Sequence, residues 1–320
     1  MISYAVLTFK DLCRLTRRLL YPFKGLLPFL FVVGNLAFWI GPLFVLALLK
    51  LVIPMERARD LCYGIMTWIY NVAVWIDDQL LWRAMGLRLE VRGLERLSQD
   101  KCYLVLANHQ SWSDIFVLQS LLNFKAPIPK FIFKRQLLYM PIVGVICWAY
   151  DFPAVSRYTK EEIVRRPDRK AEDSKSLQVA LRQFHKTPGS IVNFAEGTRY
   201  ASPKAKRRET PYRFLLPPKV GGLAVIMQSM GDQLQHILDL TLAYDCLQFN
   251  FWDFLCGRCR HVVVQVRHIS PEEAFKRSRS DIKDISSAEA AEWIHRLWEE
   301  KDQALLKLRA ELNQERLTPN

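Results

Sequence analysis

The sequence predicts an α/β fold, a mainly parallel sheet flanked by helices. Three observations carry this. Short apolar runs with strand character alternate with helical stretches from Gly86 onward, the pattern of parallel strands covered on both faces. Two of those runs, ending near Ala107 and Phe194, break into polar turns at their carboxyl ends. The flanks differ in composition: an apolar segment comes before, and a charged, helix-patterned segment follows. The chain therefore divides into N-terminal apolar helices over 1–84, an α/β domain over 85–270 and a charged helical tail over 271–320.

The first 24 residues are amphipathic and basic, with Lys10, Arg14, Arg17, Arg18 and Lys24 against a single Asp11. Gly25 through Leu49 then carries no charge. That is enough to span a hydrocarbon core, which takes about 20 helical residues. It is too long for a signal-peptide core and has no clear small-residue cleavage site. A second apolar run, Leu61 to Ile76, ends at Asp77-Asp78 and falls short of a full crossing. The basic start predicts a cytoplasmic N-terminus. Either the second run returns through the bilayer, or both runs form a hairpin sunk into one leaflet. Trp68, Trp75 and Trp82 recur every seven residues on one helical face, as an interfacial belt or a packing stripe.

Within the central domain, Leu87-Arg88-Leu89-Glu90-Val91 alternates like an edge strand. Further strands are predicted at 103–107, 130–133, 152–155, 191–194, 236–243 and 261–269, with helices at 174–185 and 220–230. The charged stretches 156–175 and 201–213 read as loops, the second holding Lys204, Lys206, Arg207, Arg208 and Arg213. Residues 271–316 read as charged amphipathic helices.

With 45 Lys and Arg against 32 Asp and Glu, the net charge is +13, which calls for anionic partners. The apolar N-terminal segment favours a lipid bilayer. Nucleic acid is not expected, because the aromatics sit in apolar stretches rather than among basic residues. The seven cysteines form no regular framework and read as reduced thiols. Cys256, Cys259 and His261 have a metal-like spacing, but no second pair completes a site, and no metal is expected.

Ala107-Asn108-His109-Gln110-Ser111-Trp112-Ser113-Asp114 follows the strand 103–107 and precedes an apolar helix. The junction lets an imidazole face a cleft while a carboxylate holds its other nitrogen, the arrangement of a general base. On the residues alone, Asp114 also reads as a helix cap. The second turn, Asn193-Phe194-Ala195-Glu196-Gly197-Thr198-Arg199, offers a mobile backbone, a hydroxyl and a guanidinium. Such a turn suits a phosphate, which arginine binds with two parallel hydrogen bonds.

Together these segments resemble the 1-acylglycerol-3-phosphate acyltransferase (PlsC-like) family of glycerolipid acyltransferases. The family's Asn-His-x4-Asp pattern is intact as Asn108, His109 and Asp114. Its Phe-Pro-Glu-Gly-Thr-Arg pattern is present with Ala195 in place of proline. Two weaker blocks match, one from Lys134-Arg135-Gln136 through Pro141-Ile142-Val143-Gly144 to Arg157, the other Leu216-Pro217-Pro218-Lys219-Val220-Gly221-Gly222. The resemblance covers about residues 85–270. The tail, around Trp293 and Trp298, is similar to a branch that includes bacterial acyltransferases and lysocardiolipin-type enzymes.

The resemblance implies that His109 is the general base and Asp114 its orienting partner. It implies that Glu196, Gly197, Thr198 and Arg199 bind the acceptor's phosphoglycerol head, with Arg157 and Lys219 as further substrate-binding residues. It implies an N-terminal membrane-embedded helical hairpin with the catalytic domain on the cytoplasmic face, which in a bacterium is that of the inner membrane. The expected reaction moves a fatty acyl chain from acyl-CoA or acyl carrier protein, as co-substrate, to the free hydroxyl of lysophosphatidic acid or a related lysophospholipid. No cofactor and no acyl-enzyme is expected. Two alternatives stay open: a membrane serine hydrolase using Ser111 or Ser113, for which a Gly-x-Ser-x-Gly elbow is missing, and a non-catalytic membrane protein of the same fold.

Overall fold

The computed structural model describes residues 23–156, 165–166, 168–182, 187–201 and 209–317. Its centre is a six-stranded sheet in the order β1-β8-β7-β2-β6-β3. The strands are β1 (Arg88–Arg92), β2 (Tyr103–Ala107), β3 (Pro129–Phe131), β6 (Ser190–Phe194), β7 (His236–Tyr244) and β8 (His261–Ile269). Every neighbouring pair is parallel except β7 and β8, which run antiparallel. β2 is an unbroken apolar run, Tyr103-Leu104-Val105-Leu106-Ala107, buried at every position. A strand with no polar face needs cover on both sides, and β2 has it: Leu104 and Leu106 enter one core, and Tyr103, Val105 and Ala107 the other. The alternating β1 lies at the sheet edge. The predicted strand 130–133 divides: after β3 the chain bends into β4 (Phe133–Lys134), which pairs with β5 (Ala154–Val155) in a small second sheet.

Two cores flank the sheet. One holds α5 (Asp168–Leu181), α6 (Val220–Met230) and α9 (Ser287–Leu317). The other holds α3 (Ser113–Leu122) and α7 (Phe251–Leu255). The helix α5 corrects the expected loop at 156–175 and starts earlier than the predicted 174–185. Its buried face consists of Leu177 and Leu181, one turn apart, under a charged remainder. The start of that stretch, with Arg157, lies outside the described residues, as do residues 1–22, His185 and the basic cluster from Lys204 to Arg208.

The helix α9 carries the residues expected as a charged tail, and it packs onto the same core. Trp298 and Lys301 are fully buried, and Leu305, Leu308 and Leu312 continue the stripe at helical spacing. Lys301 Nζ reaches the Leu240 carbonyl at 2.7 Å and Asp239 Oδ1 at 2.5 Å. Arg267 on β8 holds the other Asp239 oxygen at 2.7 Å. These contacts satisfy charges that burial would otherwise penalise heavily. The short α8 (Pro271–Phe275) connects β8 to this helix, capped by the Ser270 hydroxyl accepting from the Glu273 N–H.

The N-terminal segment forms two long helices, α1 (Leu26–Val52) and α2 (Glu56–Asp78), joined by a short turn. The second is longer than its apolar run and continues through a π-helical stretch, Gln79–Ala84. Among the described residues, α1 is the one helix long and apolar enough to cross a membrane. Leu27, Phe38 and Val52 on it are 77%, 71% and 78% exposed, a dense apolar surface facing away from the protein. The other face packs on α2 and on α4 (Pro141–Ala149), and Lys50 at its end pairs with Asp151 at 2.7 Å. Of the three spaced tryptophans, Trp68 and Trp75 are exposed. Trp82 turns inward and donates to Asp78 and to Ser120 of α3, 2.9 Å each.

Candidate active site

The two polar turns converge because β2 and β6 are adjacent and parallel, so their carboxyl ends open on the same edge. Ala107 pairs with Phe194 at the last rung, which places His109 beside Glu196. Two hydrogen bonds stitch the turns together: the His109 N–H donates to Glu196 Oε1 at 2.9 Å, and the Tyr200 N–H to the His109 carbonyl at 2.7 Å. Asn108, fully buried, anchors the first turn to β7 by exchanging amide hydrogen bonds with Leu242 at 3.0 and 2.8 Å.

His109 Nδ1 lies 2.8 Å from Asp114 Oδ2. The same oxygen accepts the backbone N–H groups of Gln110 at 2.6 Å and Ser111 at 3.0 Å. The other oxygen accepts the Tyr244 hydroxyl at 2.6 Å. These donors fix the carboxylate in direction. Burial, and the Asp114 charge, push the Tyr244 phenol well above its usual value, so it stays a donor. With Nδ1 assigned as donor to Asp114, Nε2 is left with a lone pair. The imidazole stacks on Phe194 at 4.1 Å and keeps 17% of its side chain exposed. Asp114 therefore does not cap α3, whose N-terminus has no side-chain cap; it holds the imidazole and the turn before the helix.

Neither serine hydrogen-bonds the imidazole. Ser111 Oγ accepts from the Ser113 N–H, and Ser113 Oγ donates to the Tyr244 hydroxyl. Both are buried. The geometry lacks the serine–imidazole contact that a hydrolase of this type requires.

Arg199 places its guanidinium 5.9 Å over the Trp112 ring, which brings the second turn's cation to the rim of the first. Gly197 takes φ +69°, and a Cβ there would meet Lys219 Cδ at 2.9 Å, so Lys219 lies directly over the turn. Thr198, Arg199 and Lys219 retain solvent access. Glu196 differs. It is fully buried, and its oxygens accept the backbone N–H groups of His109 and Leu216, 2.9 Å each. Its contacts join turns of the protein.

Burial pushes the Glu196 carboxyl up to about 8, against the two N–H groups that favour its charge. The folded state thus binds the Glu196 proton more tightly than the unfolded chain, whose value is near 4.5. Its contribution to stability is full below the unfolded value and is lost as pH rises through about 8. Urea midpoints measured on either side of that pH are expected to fall with rising pH, and Glu196→Gln is expected to flatten the slope. Gln also turns an amide NH2 against one backbone N–H, so the variant is expected to lose about 1–3 kcal/mol of stability. An unchanged slope in the variant would count against this part of the site.

Several groups support the site in ways that the sequence did not indicate. Arg309 of α9 donates to the Gln110 side chain at 3.1 Å and stacks over Phe214 at 4.4 Å. Asp302 accepts the backbone N–H groups of Arg213 and Phe214, 2.8 Å each. The Trp298 indole donates to the Leu216 carbonyl at 3.2 Å. Cys256, Cys259 and His261 do not come together. Cys259 groups with Asp245 and Cys246, whereas Cys256 packs by Gly25 and His261 lies between Glu90 and Glu315.

An apolar pocket, roofed by the N-terminal helices, has Trp112 of the histidine turn in its lining. Trp112, Ile115, Phe116 and Gln119 form one stripe of α3 along it. Trp39 and Leu43 of α1 and Ile69 and Val74 of α2 close it. Phe131, which also lines it, stacks 6.0 Å from Phe194, the ring under His109.

The family model described as Acyltransferase matches residues 88–245, from β1 to just past β7. A 2-acyl-1-lysophosphatidylinositol acyltransferase of Saccharomyces cerevisiae is 24% identical over 238 residues, 62% of this chain and 59% of its own length. A 1-acyl-sn-glycerol-3-phosphate acyltransferase of Pseudomonas aeruginosa is 34% identical over 119 residues, 37% of each chain. Among solved structures, the PlsC 1-acyl-sn-glycerophosphate acyltransferase of Thermotoga maritima aligns over 91% of this chain and 98% of its own, at 18% identity and a TM-score of 0.47. Over residues 88–245, on an α/β fold, the chain is similar to the Acyltransferase family. The relatives that it resembles are named as glycerolipid acyltransferases. It spans 59% and 37% of the yeast and Pseudomonas relatives.

Proposed function

We propose that this protein acylates a lysophospholipid at a bilayer surface, drawing the acyl chain from acyl-CoA or acyl carrier protein. The observation that carries the reading is the Asp114-held His109, with Nδ1 engaged and Nε2 left as acceptor, on the turn that also gives Trp112 to the lining of an apolar pocket. His109 Nε2 takes the proton of the acceptor hydroxyl as its oxygen bonds to the thioester carbonyl carbon. Asp114 holds the tautomer and stabilises the imidazolium. The carbon–sulfur bond then breaks, and the thiolate leaves with the proton returned from His109. Arg199 and Lys219, with Thr198 and the Gly197 backbone, bind the acceptor's phosphate. Glu196 positions the two turns. The apolar pocket takes the acyl chain. Anchoring both substrates makes the attack effectively intramolecular.

The reading includes a hairpin of α1 and α2 seated in the cytoplasmic leaflet, supported by the exposed apolar face of α1. The acceptor is lysophosphatidic acid or a close relative. The test is the full-length protein in lipid with labelled acyl-CoA and a panel of lysophospholipids. Diacyl product is expected, abolished by His109→Ala and kept by Ser111→Ala. Free fatty acid lost on Ser111→Ala would favour the hydrolase instead. In the same assay, Arg199→Ala is expected to raise the acceptor KM by about 10- to 100-fold, the worth of a charge-assisted phosphate contact. An unchanged acceptor KM would remove Arg199 from the phosphate site.

A further inference from the structure

Strands β7 and β8 run antiparallel, and their last paired rung is Tyr244 with Val262. The chain therefore leaves β7 through Asp245-Cys246 directly opposite Cys259-Arg260, which lead into β8. Between them α7 and a turn at Gly257, with φ +70°, bring it back. One ligand atom each from Asp245, Cys246 and Cys259 lie within 4.8 Å of one another. Cys246 and Cys259 are buried, while Asp245 keeps some access to solvent. The sequence spacing drew attention to Cys256 and His261. The fold turns both away and puts Asp245 and Cys246 beside Cys259 instead.

The donor set decides the kind of ion. Two thiols and a carboxylate match the sulfur- and oxygen-ligated sites of Zn2+, whereas Mg2+ and Ca2+ take oxygen ligands. A tetrahedral Zn2+ holds its ligand atoms at about 2.0–2.3 Å, hence roughly 3.5–3.8 Å from one another, so the side chains need close by about 1 Å at most. Their present bonds allow this. The Asp245 oxygens accept the Arg260 N–H at 3.1 and 3.2 Å, and a carboxylate has further lone pairs to offer. The Cys246 thiol donates to the Arg258 carbonyl at 3.2 Å, a proton it would give up on binding as thiolate. Two thiolates and a carboxylate exceed the charge of a dication by one. Arg316 of α9, which donates to the Asp245 carbonyl at 3.1 Å, adds a cation beside the turn. The solvent-facing side of Asp245 leaves a fourth position for water.

We propose that Asp245, Cys246 and Cys259 form a binding site for Zn2+, completed by water. Each thiol releases its proton to solvent as the sulfur binds, and nothing is oxidised or reduced. The ion ties the end of β7 to the start of β8 and closes the loop that carries α7. Phe29 of α1 packs on Trp252 of that helix, ring centroids 5.8 Å apart, and Tyr244, next to Asp245, holds Asp114. The ion's role is structural: it braces the first helix and the reactive pair from behind and takes no part in acyl transfer.

The experiment strips the full-length protein in lipid vesicles with a chelator, keeps it reduced, and titrates it with Co2+, a spectroscopic stand-in for Zn2+. One Co2+ per chain is expected, with a sulfur-to-cobalt charge-transfer band and visible bands of tetrahedral strength, all displaced by Zn2+. Replacing both thiols, as Cys246→Ser with Cys259→Ser, is expected to abolish the charge-transfer band. Asp245→Ala keeps both thiols and is expected to weaken Zn2+ binding at least about tenfold, the scale on which even outer partners of metal ligands act. Cys256→Ser is the control and is expected to change nothing. Zn2+, and not Mg2+, is expected to raise the Tm of the wild-type chain. No charge-transfer band and no Zn2+-dependent rise in Tm overturn the proposal. So does a band that survives loss of both thiols, or a disulfide joining the two sulfurs under the same reducing conditions. Should the cysteine variants fail to fold, Asp245→Ala decides, and an unchanged affinity there overturns the site.

Discussion

His109→Ala is expected to reduce acyl transfer by about 100- to 10,000-fold, the range over which positioned acid–base groups act. The chain should stay folded, because the imidazole is partly exposed and its loss opens space at a surface. What it leaves behind is Asp114, still accepting from Gln110, Ser111 and Tyr244. Donor and acceptor KM are expected to change little, since neither the apolar pocket nor the Arg199 turn is touched. The measurement is a steady-state assay paired with a thermal melt. Full activity in a folded variant would end the general-base account. Tyr244→Phe probes the same device from behind and is expected to give a milder loss, because two backbone N–H groups still hold the carboxylate.

Lys301→Ala is expected to be the most destabilising single change outside the reaction centre, at about 3–5 kcal/mol. The ammonium is fully buried, and its removal strands Asp239 Oδ1 and the Leu240 carbonyl beside the sheet. Desolvation lowers the Lys301 pKa while Asp239 opposes that, the usual tension in a buried pair. Removing both charges together, as Asp239→Asn with Lys301→Met, is expected to recover most of the loss, because a partnerless charge is costlier than a neutral pair. Urea unfolding of the two single variants and the double variant separates these effects. A loss under about 1 kcal/mol for Lys301→Ala would mean that water reaches the pair.

These two residues show what sequence reading captures and where it stops. His109 and Asp114 are five apart at a strand-to-helix junction, so their meeting is a local matter and visible from spacing. The parallel strands were legible for a similar reason, as in Tyr103 to Ala107, where a wholly apolar run leaves few other fates. Lys301, Asp302 and Arg309 share a helical stripe with Trp298, Leu305 and Leu312, but charged side chains at such positions read as solvent-facing. Their partners are far along the chain, Asp239 and Leu240 on β7, Arg213 and Phe214 before α6, and Gln110 after β2. Glu196 follows the same logic. Its motif position suggested a ligand for substrate, while its bonds run to backbone groups 87 and 20 residues away. Only the start of helix α5 was missed, because residues 168–173 are almost wholly charged and read as a loop.

The last helix carries a consequence for how the protein comes into being. Arg309 braces Gln110, and Lys301 secures the strand that ends at Tyr244, so the reactive pair gains its supports only when the final helix has docked. A nascent chain grows at roughly 5–20 residues per second, so on the order of 10–40 s separate synthesis of His109 from synthesis of Arg309. During that interval the apolar helices are already free of the ribosome and able to meet the bilayer, while the reaction centre stays unassembled. Lodging in the membrane would thus precede chemical competence, and a molecule halted short of its final helix would be lodged but inert.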